Sequence, residues 1–289
     1  MTRDRWTEWI LSRRFGGDAE AAQTMLQGLS TVRERVLDRA ELTEGETLLD
    51  VGCGDGLIAF GALERGAGRV IFSDVSHDLL DVSRRLAAGD ERAEFVYARA
   101  EDLSPIADES VDIVTTRSVI IYVTEKRRAF AEFFRVLKPG GRLSMFEPIN
   151  RFAFPEPEGV FAGIDMGEVW PLAKRLRDRF DAMSGDESAM IDFDERDLLQ
   201  LAHDAGFPDT DVELEARIER GRIWGHVPPP LERLLNTAPN PNAPTFQEVI
   251  DAEFDPDERE RFLEYVRPRY KAGELTGRSA VAYLRARKG

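Results

Sequence analysis

From residue 46 onward the chain alternates short apolar runs of strand period with longer stretches of helical period. The runs TLLDVG, RVIFSDV, AEFVYA, VDIVTT and GRLSMFEP predict strands, and segments such as LIAFGALERG and EKRRAFAEFFRVLKPG between them predict helices. This alternation predicts an α/β fold, a mostly parallel sheet with helices on both faces. Turn signals at Glu44-Gly45 and at Lys138-Pro139-Gly140-Gly141 mark where two of the strands begin. The sheet core is therefore expected over residues 46–148.

Two helical stretches, 4–14 and 18–40, precede the core and predict an N-terminal helical cover over 1–45. Phe15-Gly16-Gly17-Asp18 parts them, with Asp18 as a candidate N-cap. Beyond 148 the pattern loosens, prolines accumulate, and 149–193 is expected to form a lid insertion. FDERDLLQLAHDAGF predicts a helix with Asp194 near its start and Gly206 at its stop. TDVELEARIE then predicts an edge strand and GRSAVAYLRARK a last strand, so 194–289 would hold the C-terminal strands. The stretch between them is too long for a hairpin loop and predicts a helical insertion over 221–275. The whole of 1–289 is then one domain with C-terminal insertions.

Composition narrows the chemistry. No apolar run is long enough to span a bilayer and the N-terminus lacks a secretory pattern, so a cytoplasmic protein without membrane attachment is expected. Cys53 is the only cysteine, which excludes an internal disulfide and a thiolate zinc site; no metal is expected. With 54 acidic and 39 basic residues the formal charge is -15, unfavourable for a nucleic-acid partner.

The sharpest signal is LLDVGCGDG: a strand ending in Asp50, then glycines at 52, 54 and 56 opening a helix. Such a loop needs glycine where a ligand touches backbone. A dinucleotide fingerprint is G-x-G-x-x-G, and its third glycine is here Leu57, so a nicotinamide-dependent oxidoreductase is disfavoured. Asp74 ends the next strand, where an acid can accept from ribose hydroxyls. Cys53 reads as a small loop filler rather than a nucleophile.

Further along, Glu147, Asn150 and Arg151 in FEPINRF follow the fifth strand, where open α/β sheets place substrate contacts. Glu147 could equally satisfy backbone donors in the turn or pair with Arg151. His77 and His203 read as structural or solvated, whereas His226, beside Trp224 in RIWGHVPPP, is a candidate base. Trp6, Trp9, Phe152, Phe154, Phe161 and Trp170 could form an aromatic lid or simply the core between cover and sheet.

Through these motifs residues 46–148 resemble the class I S-adenosylmethionine-dependent methyltransferases. The resemblance implies a Rossmann-like, seven-stranded, mostly parallel sheet whose last strand is antiparallel. It implies S-adenosyl-L-methionine as cofactor, with S-adenosyl-L-homocysteine as product. Cofactor contacts are implied at Asp50, Gly52, Cys53, Gly54, Asp74 and Val75, at Ala100, Glu101 and Asp102 for the adenine, and at Arg117 and Ser118 for the methionine part. Arg99 stands where the family often has Asp, which leaves the adenine-amine acceptor open between Glu101 and Asp102.

Tyr122 would sit near the transferable methyl. Tyr122, Glu147 and His226 are the candidates for removing a proton, and Trp9, Tyr122, Glu147, Asn150 and Arg151 for contacting substrate. An N/D-P-P-Y/F motif, a Pro-Cys nucleophile and a cysteine trio are all missing, which points to in-line transfer to O, N or C of a small molecule. Quinone-type C-methylation is the narrower alternative, because the core most resembles that branch. A non-catalytic S-adenosylmethionine-binding regulatory protein, using 221–275 for its partner, is the alternative from another class. The lid and insertion would serve equally to build a homodimer.

Overall fold

The switch in strand order lies at the centre of the sheet. In the computed structural model, which describes residues 3–14, 19–183, 188–223 and 226–289, seven strands run in the order β3-β2-β1-β4-β5-β9-β8. They are β1 (Thr47–Val51), β2 (Arg69–Asp74), β3 (Ala93–Tyr97), β4 (Val111–Arg117), β5 (Leu137–Pro148), β8 (Asp209–Arg220) and β9 (Thr276–Arg287). The first five are parallel; β9 is antiparallel to both β5 and β8. β1 has β2 on one side and β4 on the other, so the strand order reverses at β1, and open α/β sheets bind ligands outside the carboxyl ends of the strands at such a point.

Around the sheet stand α1 (Arg5–Glu8), α2 (Ala19–Arg39), α3 (Leu57–Glu64), α4 (His77–Leu86), α5 (Lys126–Val136), α6 (Trp170–Met183), α7 (Ser188–Ile191) and α8 (Glu195–Ala205). α9 (Leu231–Leu235), α10 (Phe246–Glu253) and α11 (Pro256–Lys271) follow before β9. The period-2 alternation sorts the strand residues. Leu48, Phe72 and Ile113 pack with Leu37 and Ile58 on one face, and Leu49, Ile71 and Val114 pack with Phe130 and Leu198 on the other. Phe130 and Phe133 are fully buried, and truncating either to Ala would cost about 3–5 kcal/mol.

The predicted helix with Asp194 and Gly206 is α8: Asp194 closes a capping box and Gly206 ends the helix in the left-handed region. The first helical stretch is less regular than its period suggests. α1, capped by the Asp4 side chain, gives way to a π-helix over Trp9–Arg13. Asp18, the candidate cap of the second, lies outside the described residues. A two-stranded hairpin of β6 (Val160–Phe161) and β7 (Ile164–Asp165) has no counterpart among the predicted strands.

The 149–193 and 221–275 segments, which the sequence pattern separates, share one apolar core. Phe161, Leu172 and Leu176 pack with Val249, Ile250, Phe262 and Leu263. The second segment leaves β8 and re-enters β9 at adjacent points, because Arg220 pairs with Thr276 and Gly221 N–H donates to Leu275 O. β8 is an edge strand, and its acidic face, Asp211, Glu213 and Glu215, is covered by Arg35 and Arg39 of α2. Among the described residues no helix is long and apolar enough to cross a membrane, and no cluster of three His, Cys, Asp or Glu could hold a metal.

Candidate functional site

The loop after β1 is built from beneath. Asp50 is buried on β1 and accepts from Thr115 Oγ1 at 2.8 Å, and the Ala59 amide in the first turn of α3 favours its charged form. Burial dominates its ionisation and pushes its pKa up to about 7. Asp50 thus ties β1 to β4 beneath the loop. Gly52 has φ +67°, and a Cβ there would stand 2.4 Å from Val119 Cγ2. Gly54 has φ +55°, and its nearest neighbour beyond the loop is Ile10, 4.0 Å from where a Cβ would be. Cys53 is buried; burial pushes its thiol well up, so it stays protonated and fills the loop.

Asp74, at the end of β2, joins this loop to the next. Its Oδ2 accepts the Gly54 amide at 2.8 Å and its Oδ1 the Ser76 amide at 2.9 Å. Each carboxylate oxygen can accept a second hydrogen bond, so the vicinal hydroxyls of a ribose could be held there. Val75, half-buried, follows directly. Past β3, Ala100 is buried; Glu101 is held by Arg99 at 2.6 Å, while Asp102 is exposed and accepts the Ser104 amide at 3.2 Å. Both adenine-acceptor candidates thus already have a partner, and Asp102 is the more open of the two.

β4 ends in Arg117, and Ser118 turns the chain with φ +56°. Arg117 is half-buried, and its guanidinium makes no hydrogen bond or ion pair to the described residues. Its charge is felt by Asp50 and by Arg14, whose guanidinium is drawn below its ordinary value by burial first and by Arg117 second. Asp55 Oδ1, within Coulombic range of Arg14, is buried without a partner. An anion for Arg117, a cation for Asp55 and a diol for Asp74 are what an amino-acid-bearing nucleoside provides. The residues present therefore fit S-adenosylmethionine.

An N-terminal strap crosses this site. Asp4 N–H donates to Asp78 at 2.9 Å, Ser76 Oγ donates to Asp4 at 2.5 Å, and Thr7 Oγ1 lies 3.2 Å from Ser76 Oγ. Trp6 meets the Tyr122 ring edge-on at 5.0 Å. On its outer side the strap is tied to the 221–275 segment: Trp9 Nε1 donates to Ala238 O at 2.8 Å and Arg13 pairs with Glu248 at 2.7 Å.

The remaining candidates are scattered. Glu147 is fully buried, and its oxygens accept the amides of Val119, Ile120 and Ile121 at 2.9, 3.0 and 3.4 Å. It takes the backbone role that the sequence left open, and it neither pairs with Arg151 nor lies open to a substrate. Arg151 is exposed and 3.8 Å from Asp197, while Asn150 begins a short 3-10 helix, Asn150–Phe152. His226 is exposed in a turn that its backbone closes with Ile223; Trp224 lies outside the described residues. Trp9 is buried with its N–H committed to Ala238 O, which makes it a fastener of the strap.

Of the aromatic lid candidates, Phe161 and Trp170 belong to the insertion core, Phe152 and Phe154 are exposed, and Trp6 alone meets Tyr122. Sequence reading missed Asp4, Thr7, Ser76, Asp55, Arg14 and Lys126. Asp4 and Ser76 carried a local signal, as N-caps of α1 and α4, but the contacts that bring them together span 72 residues of sequence.

Residues 49–145 match the family model described as "Methyltransferase domain". The chain is 41% identical over 122 residues to a demethylmenaquinone methyltransferase of Clavibacter sepedonicus, covering 42% of this chain and 47% of that one. The chain thus spans about half the length of that relative. It is 31% identical over 186 residues to the ubiquinone/menaquinone biosynthesis C-methyltransferase UbiE of Klebsiella pneumoniae, covering 61% of this chain and 71% of the relative. The fold superposes on phosphoethanolamine N-methyltransferase 2 of Haemonchus contortus with a TM-score of 0.52 at 19% identity, covering 98% of this chain and 56% of that one.

Proposed function

The chain belongs to the class I S-adenosylmethionine-dependent methyltransferases, and we propose that it transfers the methyl group to a small molecule enclosed between the carboxyl edge of the sheet and the N-terminal strap. When bound, S-adenosylmethionine supplies an electrophilic methyl on a positively charged sulfur and leaves as the neutral thioether. Asp74 would take the ribose hydroxyls, Arg117 the carboxylate and Asp55 the amine of the methionine part. Gly52 and Gly54 let the loop backbone approach the ligand, and Ala100, Glu101 and Asp102 border the adenine. The observation that carries this reading is the buried Asp55 Oδ1 without a hydrogen-bond partner, with the Arg117 guanidinium near Asp50 below the Asp74-bound glycine loop.

Trp6 and Tyr122 would wall the transfer space and exclude water, so that alignment supplies most of the rate for a neutral nucleophile. An oxygen or carbon nucleophile needs a proton removed. Of the three candidates Tyr122 alone adjoins the proposed space, since Glu147 is occupied by backbone and His226 is exposed on the insertion. A quinone-type acceptor methylated at carbon is the narrower reading. Its support is that one relative is named for demethylmenaquinone and the other for C-methylation in ubiquinone and menaquinone biosynthesis.

The test is transfer of labelled methyl from S-adenosylmethionine into a cell extract, separated into small-molecule, protein and nucleic-acid fractions, with Asp74→Ala as the blank. Label in the small-molecule fraction is expected. Label in protein or nucleic acid overturns the acceptor class, and S-adenosylhomocysteine binding without any transfer favours a regulatory protein.

A further inference from the structure

The turn that carries Tyr122 is gripped at both ends, by a buried carboxyl at its start and a buried ammonium at its end. Its first part, Ser118, stands in the left-handed region with φ +56°, a conformation that is strained for a non-glycine residue and needs support. Support at the start comes from Glu147 on β5, whose carboxyl accepts the three consecutive amides of Val119, Ile120 and Ile121. Support at the end comes from Lys126, the first residue of α5, whose Nζ donates to Val123 O at 2.8 Å. Between these grips lies the short 3-10 helix Ile120–Tyr122. A carboxyl acceptor meets its N–H end and an ammonium donor its carbonyl end, so the backbone groups left over by the short helix are satisfied at both ends.

Lys126 also reaches beyond the turn. The same Nζ donates to Ala189 O at 2.9 Å, pairs with Asp192 at 2.8 Å, and stands 5.1 Å from the Phe193 ring. Lys126 is itself buried, so its charge depends on these partners. One ammonium thus joins the Tyr122 turn to the 188–193 segment, which lies in neither the cofactor loop nor the strap.

We propose that Glu147 and Lys126 are positioning residues for methyl transfer, holding Tyr122 in place through the 118–123 turn, and that Lys126 makes this hold depend on the 188–193 segment being seated. The inference rests on the methyltransferase reading. Neither residue touches the reacting atoms. Loss of either grip lets the turn shift, and small misplacements near a reacting centre are costly in rate while leaving the distant ribose and adenine contacts intact.

The experiment compares wild type with Lys126→Met, Tyr122→Ala and the double variant. Labelled S-adenosylmethionine is the donor and the small-molecule fraction of a cell extract is the acceptor, varied by dilution to separate apparent kcat from apparent KM. Affinity for S-adenosylhomocysteine is measured by calorimetry. Lys126→Met is expected to lower kcat by about tenfold and to change S-adenosylhomocysteine affinity by less than about twofold. In the Tyr122→Ala chain it should add nothing, because both act through one side chain. Asp192→Asn, which loosens the same grip from outside, should lower kcat several-fold and likewise add nothing to Tyr122→Ala; it serves if Lys126→Met does not fold. Unchanged kcat in folded variants, or losses that multiply with that of Tyr122→Ala, overturns the inference alone. A wild-type chain that transfers no methyl to any fraction overturns the methyltransferase reading and this inference with it.

Discussion

Asp74 Oδ2 accepts the Gly54 amide at 2.8 Å, so the acid at the end of β2 holds the glycine loop that follows β1. One side chain thereby shapes the loop and offers acceptors to a ribose. Asp74→Ala is expected to weaken S-adenosylhomocysteine binding by roughly ten- to a hundredfold, the value of a charged hydrogen bond. Asp74→Asn should fall between the two. Calorimetric titration checks this, and an unchanged dissociation constant in a folded variant removes Asp74 from the site.

Gly52 and Val119 form the second tight contact, between the glycine loop and the Tyr122 turn. A methyl group at Gly52 would meet Val119 Cγ2 at 2.4 Å in a backbone conformation with φ +67°. Gly52→Ala should therefore cost about 2–4 kcal/mol, strain and overpacking together. Adding Val119→Ala should recover the overpacking part but not the strain. Urea unfolding of the three variants measures this, and no recovery would mean that the contact is looser than described.

Burial holds the Glu147 carboxyl at about 7, against an ordinary 4.5, while the three amides and Lys126 pull it the other way. The unfolded chain loses this proton first. Between about 4.5 and 7 the native state binds more protons, so rising pH favours unfolding across that window. The contribution is whole below 4.5 and lost by 7. Asp50, raised from 3.8 to about 7, acts in the same direction from a lower starting point. Glu147→Gln should flatten the fall in melting temperature between pH 5 and 7 relative to wild type, and parallel curves for the two chains would contradict the assignment.

The sheet was legible because each of its strands carries its own signal. Thr47–Val51 and Arg69–Asp74 are apolar runs with an acid as their penultimate and last residue respectively, and α8 is framed by Asp194 and Gly206. The glycine loop after β1 was legible for the same reason, since its glycines and Asp50 are local in sequence. What closes over it was not. The Asp4–Ser76 and Trp9–Ala238 contacts join residues far apart in the chain, and no periodicity encodes them. Glu147 shows the limit most clearly: its position at the end of β5 suits a substrate contact, and only the neighbouring turn, with three amides in need of an acceptor, turns it inward.

The strap gives a prediction of its own. Its inner contacts lie over the proposed cofactor site and its outer ones on Ala238 and Glu248. S-adenosylhomocysteine should slow amide hydrogen exchange over residues 5–13, and Trp9→Phe, which removes the bond to Ala238 O, should reduce that protection. Mass spectrometry of peptides from this segment reads both effects. Equal exchange with and without ligand would separate the strap from binding.

The most direct measurement is a crystal structure of the chain with S-adenosylhomocysteine. The ribose hydroxyls should lie within hydrogen-bonding distance of Asp74, the carboxylate at Arg117, and the sulfur should face the Tyr122 turn beneath Trp6. A ligand bound away from the glycine loop, or one whose sulfur points away from Tyr122, would contradict the assignment of this crevice as the place of methyl transfer.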